Sequence, residues 1–359
     1  MVCFVSVLCL GLALGPGQPL DKESFLRLKA EARVTSSART QLLSALTADQ
    51  PKAFDLAVLL AAEEHADSTT SMDAIISDVD ARMEALTESA SVRLRLDALM
   101  GTESDPRAIA TAVSTTLFGS SAPDDSSAVA YFAGTGDLSY YDPKNSFMDC
   151  VLERRTGIPI TLSLVFNDVC ERLGLPMVGL NAPSHLLVAP ADSSLPFVVD
   201  PFNGGRLLDL DEAADLVTRN AGSPIAMADG TVIDDRVESG RLLVNSLRRW
   251  PMTGHGWCAR MLRNLRAIHA SENDIVRTMA TAERLRMVGQ ALPAASSADE
   301  QRDCAAQIAF CIWTLRWEER REEGRALLED LAQASQGVAG AQQREKFATE
   351  LLDDAWFQA

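Results

Sequence analysis

The chain has 359 residues, 47% of them apolar, and a formal net charge of −17 at pH 7. The length allows two or three domains, and the apolar share is ample for packed cores. The acidic balance argues against a nucleic-acid binder, because neutralising phosphates needs a basic face; it suits a basic partner.

Val2 to Leu14 is an apolar run without charge, followed by Gly15-Pro16-Gly17-Gln18 with small residues at alternate positions. It reads as a secretory leader, or as the first half of a plastid-targeting one, with the mature chain beginning near Gln18. The run is too short to span a membrane, and no other stretch is long and apolar enough to do so. With the leader removed, the expectation is a chain that does not cross the membrane. The alternative is a buried N-terminal helix.

Asp21 to Leu99 reads as helical. Phe54, Ala57, Val58 and Ala61 make one apolar stripe, and Met72, Ile75, Ile76 and Val79 another. The acidic residues between the stripes fit solvated faces. His65 beside them is either a surface residue or a metal ligand. No spacing elsewhere suggests a metal site, so neither metal nor cofactor is expected. Gly119 to Ser127, rich in Ser, Asp and Pro, reads as a loop. Gly134-Thr135-Gly136-Asp137 has neither the lysine nor the preceding strand of a phosphate loop.

The most informative stretch runs from Asn145 to Leu210. Thr156-Gly157-Ile158-Pro159 is a helix-start signal, with proline in the first turn. From Ile160 to Leu173 apolar residues recur at helical spacing, and Gly174 and Pro176 stop the helix. Met177–Leu180, His185–Ala189 and Phe197–Asp200 are runs of strand type, the last two joined by the loop Pro190–Pro196. A hairpin symmetric about that loop pairs residues whose numbers sum to 385, so His185 faces Asp200 and Leu187 faces Val198. Directly opposed residues have Cβ atoms about 5 Å apart, which would set an imidazole beside a carboxylate. The bland reading is a core histidine and an aspartate that opens the turn Asp200-Pro201-Phe202-Asn203-Gly204-Gly205.

Beyond Asp211 a short helix, Glu212–Thr218, precedes a loop at Ala221–Pro224, and the runs around Asp234-Asp235 close this region. From Trp257 the chain is helical again: Trp257–His269 with Asp274–Val288, Glu300–Trp317 with Glu319–Gln333, then Gln342–Trp356. Trp313 and Trp317 at i,i+4 read as core, His255 as loop and His269 as helix surface. Without the leader five cysteines remain, an odd number and none at metal-site spacing. Cys304 and Cys311, two helical turns apart, fit core packing better than a disulfide.

Five segments in order carry a family resemblance: Tyr140–Ser146, Val151–Leu162, Arg172–Pro176, Pro183-Ser184-His185 and Asp200–Gly205. The stretch resembles the transglutaminase-like core of the SirB-type proteins, in which tetratricopeptide-like helices follow the core. One departure is Ser184, where the family usually has glycine. The resemblance implies an α+β fold: a transglutaminase-like (papain-like) core with an antiparallel sheet, flanked by N-terminal helices and a C-terminal tetratricopeptide-like region. The resulting scheme is leader 1–17, helical region 18–122, core 123–240 and helical region 241–359. It also implies His185 and Asp200 as a catalytic-type pair, with Asn145, Gly157, Pro159, Thr161, Pro201 and Asn203 around the pocket.

Active transglutaminase-like enzymes place a cysteine at the start of the core helix, two residues after a glycine; the helix end lowers its pKa, and a histidine–aspartate pair orients proton transfer. Here Gly157 leads to Pro159. Cys150 precedes the helix, and Cys170 lies about ten residues into it, roughly 15 Å along the axis. The expectation is therefore a non-catalytic binding or scaffold module for an unknown protein or peptide. The alternative is a hydrolase or acyl transferase that uses His185 and Asp200 with an unusual nucleophile or a water.

Overall fold

The computed structural model describes residues 39–66, 69–99, 105–119, 131–136, 139–221, 236–338 and 341–358. The expected leader, most of the expected loop after Gly119, and Asp234-Asp235 lie outside these residues. Two compact units emerge. One is Lys52–Trp257; the other groups the described residues before Lys52 with the chain from Cys258 onward. Both expected core boundaries, 123 and 240, fall inside the first unit. The described residues are mostly helical with small sheets, and none of their helices is long and apolar enough to cross a membrane.

In the first unit, α1 (Ala53–His65), α2 (Met72–Leu99) and α3 (Pro106–Phe118) precede the central stretch. The apolar stripe of α1 is buried at Phe54, Ala57, Val58 and Ala61, as its spacing requires. Helix α3 was not expected. It starts at Asp105, whose carboxylate accepts from the Ala108 N–H at 2.6 Å, with Pro106 in the first turn. It buries Ala110, Val113 and Leu117.

A two-residue strand β1 (Ala133–Gly134), helix α4 (Met148–Arg154), a two-residue strand β2 (Thr156–Gly157) and helix α5 (Pro159–Arg172) follow. Strands β1 and β2 pair in parallel, an addition to the purely antiparallel expectation. Helix α5 is buried without a break from Pro159 to Phe166. This first half can be buried on every side because α2 and α3 as well as strands β3 and β4 pack against the helix.

The main sheet is an antiparallel meander, β3 (Met177–Leu180), β4 (Leu187–Pro190), β5 (Phe197–Asp200) and β6 (Arg206–Asp209), each strand pairing with the next. Every residue of β4 and β5 is buried. Leu180, Leu187, Ala189, Val198 and Leu208 form one apolar cluster with Ala213 and Val217 of α6 (Leu210–Ala221) and Val244 of α7 (Arg236–Arg249). Antiparallel strands with helices packed on them make this unit α+β.

The second unit contains a helical run at 39–46. It also holds most of α8 (Gly254–Ser271), followed by α9 (Ile275–Ala291), α10 (Ala298–Thr314), α11 (Arg321–Ser335), α12 (Gln342–Leu352) and α13 (Ala355–Gln358). From α9 to α12 each helix packs on the next. One cluster joins Ala306, Ala309 and Trp313 of α10, Leu328 and Leu331 of α11, Phe347, Ala348 and Leu351 of α12, and Phe357. Asp274 and Ser297 cap α9 and α10 with side-chain acceptors. Cys304 and Cys311 are buried in the core, and so is Trp317. Two histidine expectations are corrected. His255 lies buried in the first turn of α8 rather than in a loop, and His269 is 3% exposed rather than on the helix surface.

Candidate functional site

The start of α5 is fixed by Thr161. The side chain of the N-cap residue, Ile158, has no polar atom, so the hydroxyl three residues on supplies the cap. Thr161 Oγ1 accepts from the Ile158 N–H at 3.1 Å and donates to the Asn145 carbonyl at 2.9 Å, with the Ile158 carbonyl a second acceptor at 3.2 Å. Thr161 and Asn145 are both fully buried. Asn145 Nδ2 donates to the Ser139 carbonyl at 2.7 Å, which ties the short turn Pro143–Asn145 under the helix. The only hydroxyl of the first turn thus holds backbone groups and points its proton at a carbonyl. Gly157 and Pro159 are buried beside it, with Gly157 held in the β1–β2 pair.

His185 lies in the turn that leads into β4, two residues ahead of the strand rather than on it; Asp200 ends β5. Strands β4 and β5 pair Val188 with Val199, a sum of 387, so the expected register is off by two residues. Carried along the strands, this register sets Leu187 across from Asp200 and His185 across from Phe202. His185 then reaches Asp200 along the diagonal, a separation that longer side chains bridge. Its Nε2 lies 3.0 Å from Asp200 Oδ1, and both side chains are almost fully buried. The pair is a close polar contact that lacks the geometry of a hydrogen bond.

Asp200 is also held from the turn that follows. Its two oxygens accept from the Asn203 N–H at 3.2 Å and from Asn203 Nδ2 at 2.7 Å. Pro201 is buried and Asn203 exposed. Ser184, which stands where the resemblance leads one to expect glycine, has φ +54°, the left-handed region that glycine enters most freely. The backbone shape before His185 is thus kept at the cost of some strain.

The sequence-predicted pocket residues fall into two groups. His185, Asp200 and Asn203 form one, and Asn145, Gly157, Pro159 and Thr161 the other. Phe202 stands between them: its ring is 6.3 Å from that of His185, edge to face, and Gly134 of β1 approaches it so closely that a methyl group there would clash. Gly134 pairs with Gly157 at the start of α5. The Phe202 ring thus touches both the histidine and the strand paired with the helix start. Phe202 lay inside the turn motif but gave no sign in the sequence of facing the histidine.

The cysteines sit elsewhere. Burial pushes the Cys170 thiol up, and burial together with the neighbouring Asp149 pushes Cys150 up to about 11. A thiol needs the opposite shift to act as a nucleophile. Iodoacetamide at pH 8 should therefore modify Cys150 about ten- to a hundredfold more slowly than an ordinary exposed thiol, even after allowing for the greater nucleophilicity of a more basic thiolate. Peptide mass mapping would measure this, with the urea-unfolded chain as reference; equal rates in the two states would contradict the burial account.

Residues 69–235 match the family model of the transglutaminase-like superfamily. The chain is 38% identical over 155 residues to a UPF0162 protein of Xylella fastidiosa, covering 43% of this chain and 50% of that relative. It is 26% identical over 147 residues to a UPF0162 protein of Pseudomonas aeruginosa, covering 41% of this chain and 47% of the relative. A shorter stretch of 88 residues is 36% identical to the mouse F-box only protein 21, covering 22% of this chain and 14% of that protein. The chain thus spans about half the length of the UPF0162 relatives it matches over the longer stretch. No solved structure matches it.

Proposed function

We propose that the first unit is a non-catalytic transglutaminase-like module of the SirB type that binds a protein or peptide, and that the helices from α9 onward form a tetratricopeptide-like platform. The observation that carries this reading is the start of α5. Where a thiol enzyme of this architecture needs a nucleophile, the chain has buried Pro159, and the nearest hydroxyl, Thr161, is committed to backbone groups. His185 and Asp200 then serve as a polar clasp between the turn before β4 and the end of β5. The consecutive packing of α9 to α12 supports the platform, and the net charge of −17 favours a basic partner.

The retained closeness of His185 Nε2 and Asp200 Oδ1 supports a second reading, hydrolysis or acyl transfer by a water or another nucleophile. One assay separates the two. The full chain and His185→Gln are offered a casein substrate with a fluorescent amine, and cleavage and amine incorporation are both followed. The binding module predicts the same background for both proteins, together with capture of basic sequences on a peptide array. Turnover by the wild type that His185→Gln abolishes would overturn it, as would an array on which basic peptides bind no better than acidic ones.

A further inference from the structure

A second polar cluster lies outside the histidine–aspartate site. His65 is the last residue of α1, and Asp149 and Cys150 lie in the first turn of α4. His65 Nδ1 is 2.6 Å from Asp149 Oδ2, and one ligand-type atom from each of the three residues lies within 4.8 Å of the others. The imidazole is held edge to face on Phe147, with ring centroids 4.9 Å apart. Asp149 Oδ1 is buried and has no hydrogen-bond partner among the described residues. The His65 and Asp149 side chains keep 30% and 21% of their exposure, so the cluster is open to solvent. All three residues belong to the first unit.

We propose that His65, Asp149 and Cys150 bind a divalent cation of the zinc class, with water in the fourth position. The donor set is one imidazole nitrogen, one carboxylate oxygen and one thiolate, which is zinc-type chemistry and unlike the all-oxygen sets of calcium and magnesium. Bond lengths near 2.1 Å to nitrogen and oxygen and 2.3 Å to sulfur place tetrahedral ligand atoms roughly 3.3–3.6 Å apart. The cluster reaches that by small side-chain rotations. The short His65–Asp149 contact opens, or the idle Oδ1 takes the ligand role instead.

A metal site fits better than a nucleophilic triad. The three ligand-type atoms converge on one point and Asp149 Oδ1 is idle, and a bound cation supplies the charge that releases the thiol proton to bulk water. Cation binding would staple the end of α1 to the start of α4, and the fourth position would stay open to a small ligand.

Co²⁺ and Zn²⁺ added to the reduced full-length chain test the proposal. One equivalent of Co²⁺ should give thiolate-to-cobalt absorption in the near ultraviolet, and Zn²⁺ should abolish it. Cys150→Ser should remove the absorption, and His65→Gln should weaken Zn²⁺ binding at least tenfold, with circular dichroism unchanged in both. Should His65→Gln fail to fold, Cys150→Ser decides alone. Thiolate absorption that persists in Cys150→Ser, or none in the wild type, would overturn the proposal. The outcome is independent of the proposed binding function, since neither His185 nor Asp200 takes part.

Discussion

Asp200→Ala is expected to lower the unfolding free energy by about 2–4 kcal/mol. The carboxylate is 2% exposed and takes three polar contacts: His185 Nε2, the Asn203 N–H and Asn203 Nδ2. Alanine removes all three and leaves a buried imidazole without the oxygen it faces. Part of the loss is recovered because Asn203 is exposed and can turn to water. Urea unfolding of Asp200→Ala, His185→Ala and the double variant measures the coupling, which should be about 1–2 kcal/mol for side chains in direct contact. A loss below about 1 kcal/mol for Asp200→Ala, or strict additivity, would show that the pair does not hold the two strands together.

Gly205→Ala should cost about 3–5 kcal/mol, which makes it the most damaging methyl group that can be added to this turn. Gly205 has φ +67°, and a Cβ there would run into the Ser114 hydroxyl and the Phe118 ring of α3. Ser114 also donates to the Gly205 carbonyl at 2.5 Å, a buried hydrogen bond that the intruding carbon would break. Gly204→Ala is the matched control. Its φ is +73°, but no neighbouring atom lies near the added carbon, so only the backbone strain of about 1–2 kcal/mol applies. Similar losses in the two variants would mean that α3 yields, and that the turn is not braced against it.

His185 and Asp200 mark how far the hairpin was legible in the sequence. The register of β4 and β5 was misjudged by two residues, yet His185 and Asp200 still meet. Side chains alternate with period two, so a slip of two leaves the same face in place, whereas a slip of one would have separated them. The hairpin was legible because both strands are short apolar runs bounded by turn residues. Helix α3 was missed although Asp105-Pro106 is a sound start signal, because it abuts polar stretches on both sides and its apolar face relies on alanine. Helix α7 was missed for a related reason, its arginines outnumbering its buried apolar residues. His65, Asp149 and Cys150 could not have been grouped from spacing, since 84 positions separate the histidine from the aspartate. Phe202 needed the register itself before its place beside His185 could be read.

The meander has a consequence for the order in which the chain assembles. Strands β3 to β6 occupy residues 177–209, and each pairs with its immediate successor across a short loop. Closing such loops loses little chain entropy, so local pairing of this kind forms early and fast. The ties that attach the preceding helices are of the opposite sort. Ser114 reaches Gly205 across 91 positions, and Lys52 reaches Glu171 across 119. A refolding chain would therefore complete the sheet and its His185–Asp200 clasp while α1 and α3 are still searching for their places. The slowest step would be the docking of those helices onto α5 and the Gly205 turn, not the pairing of the strands.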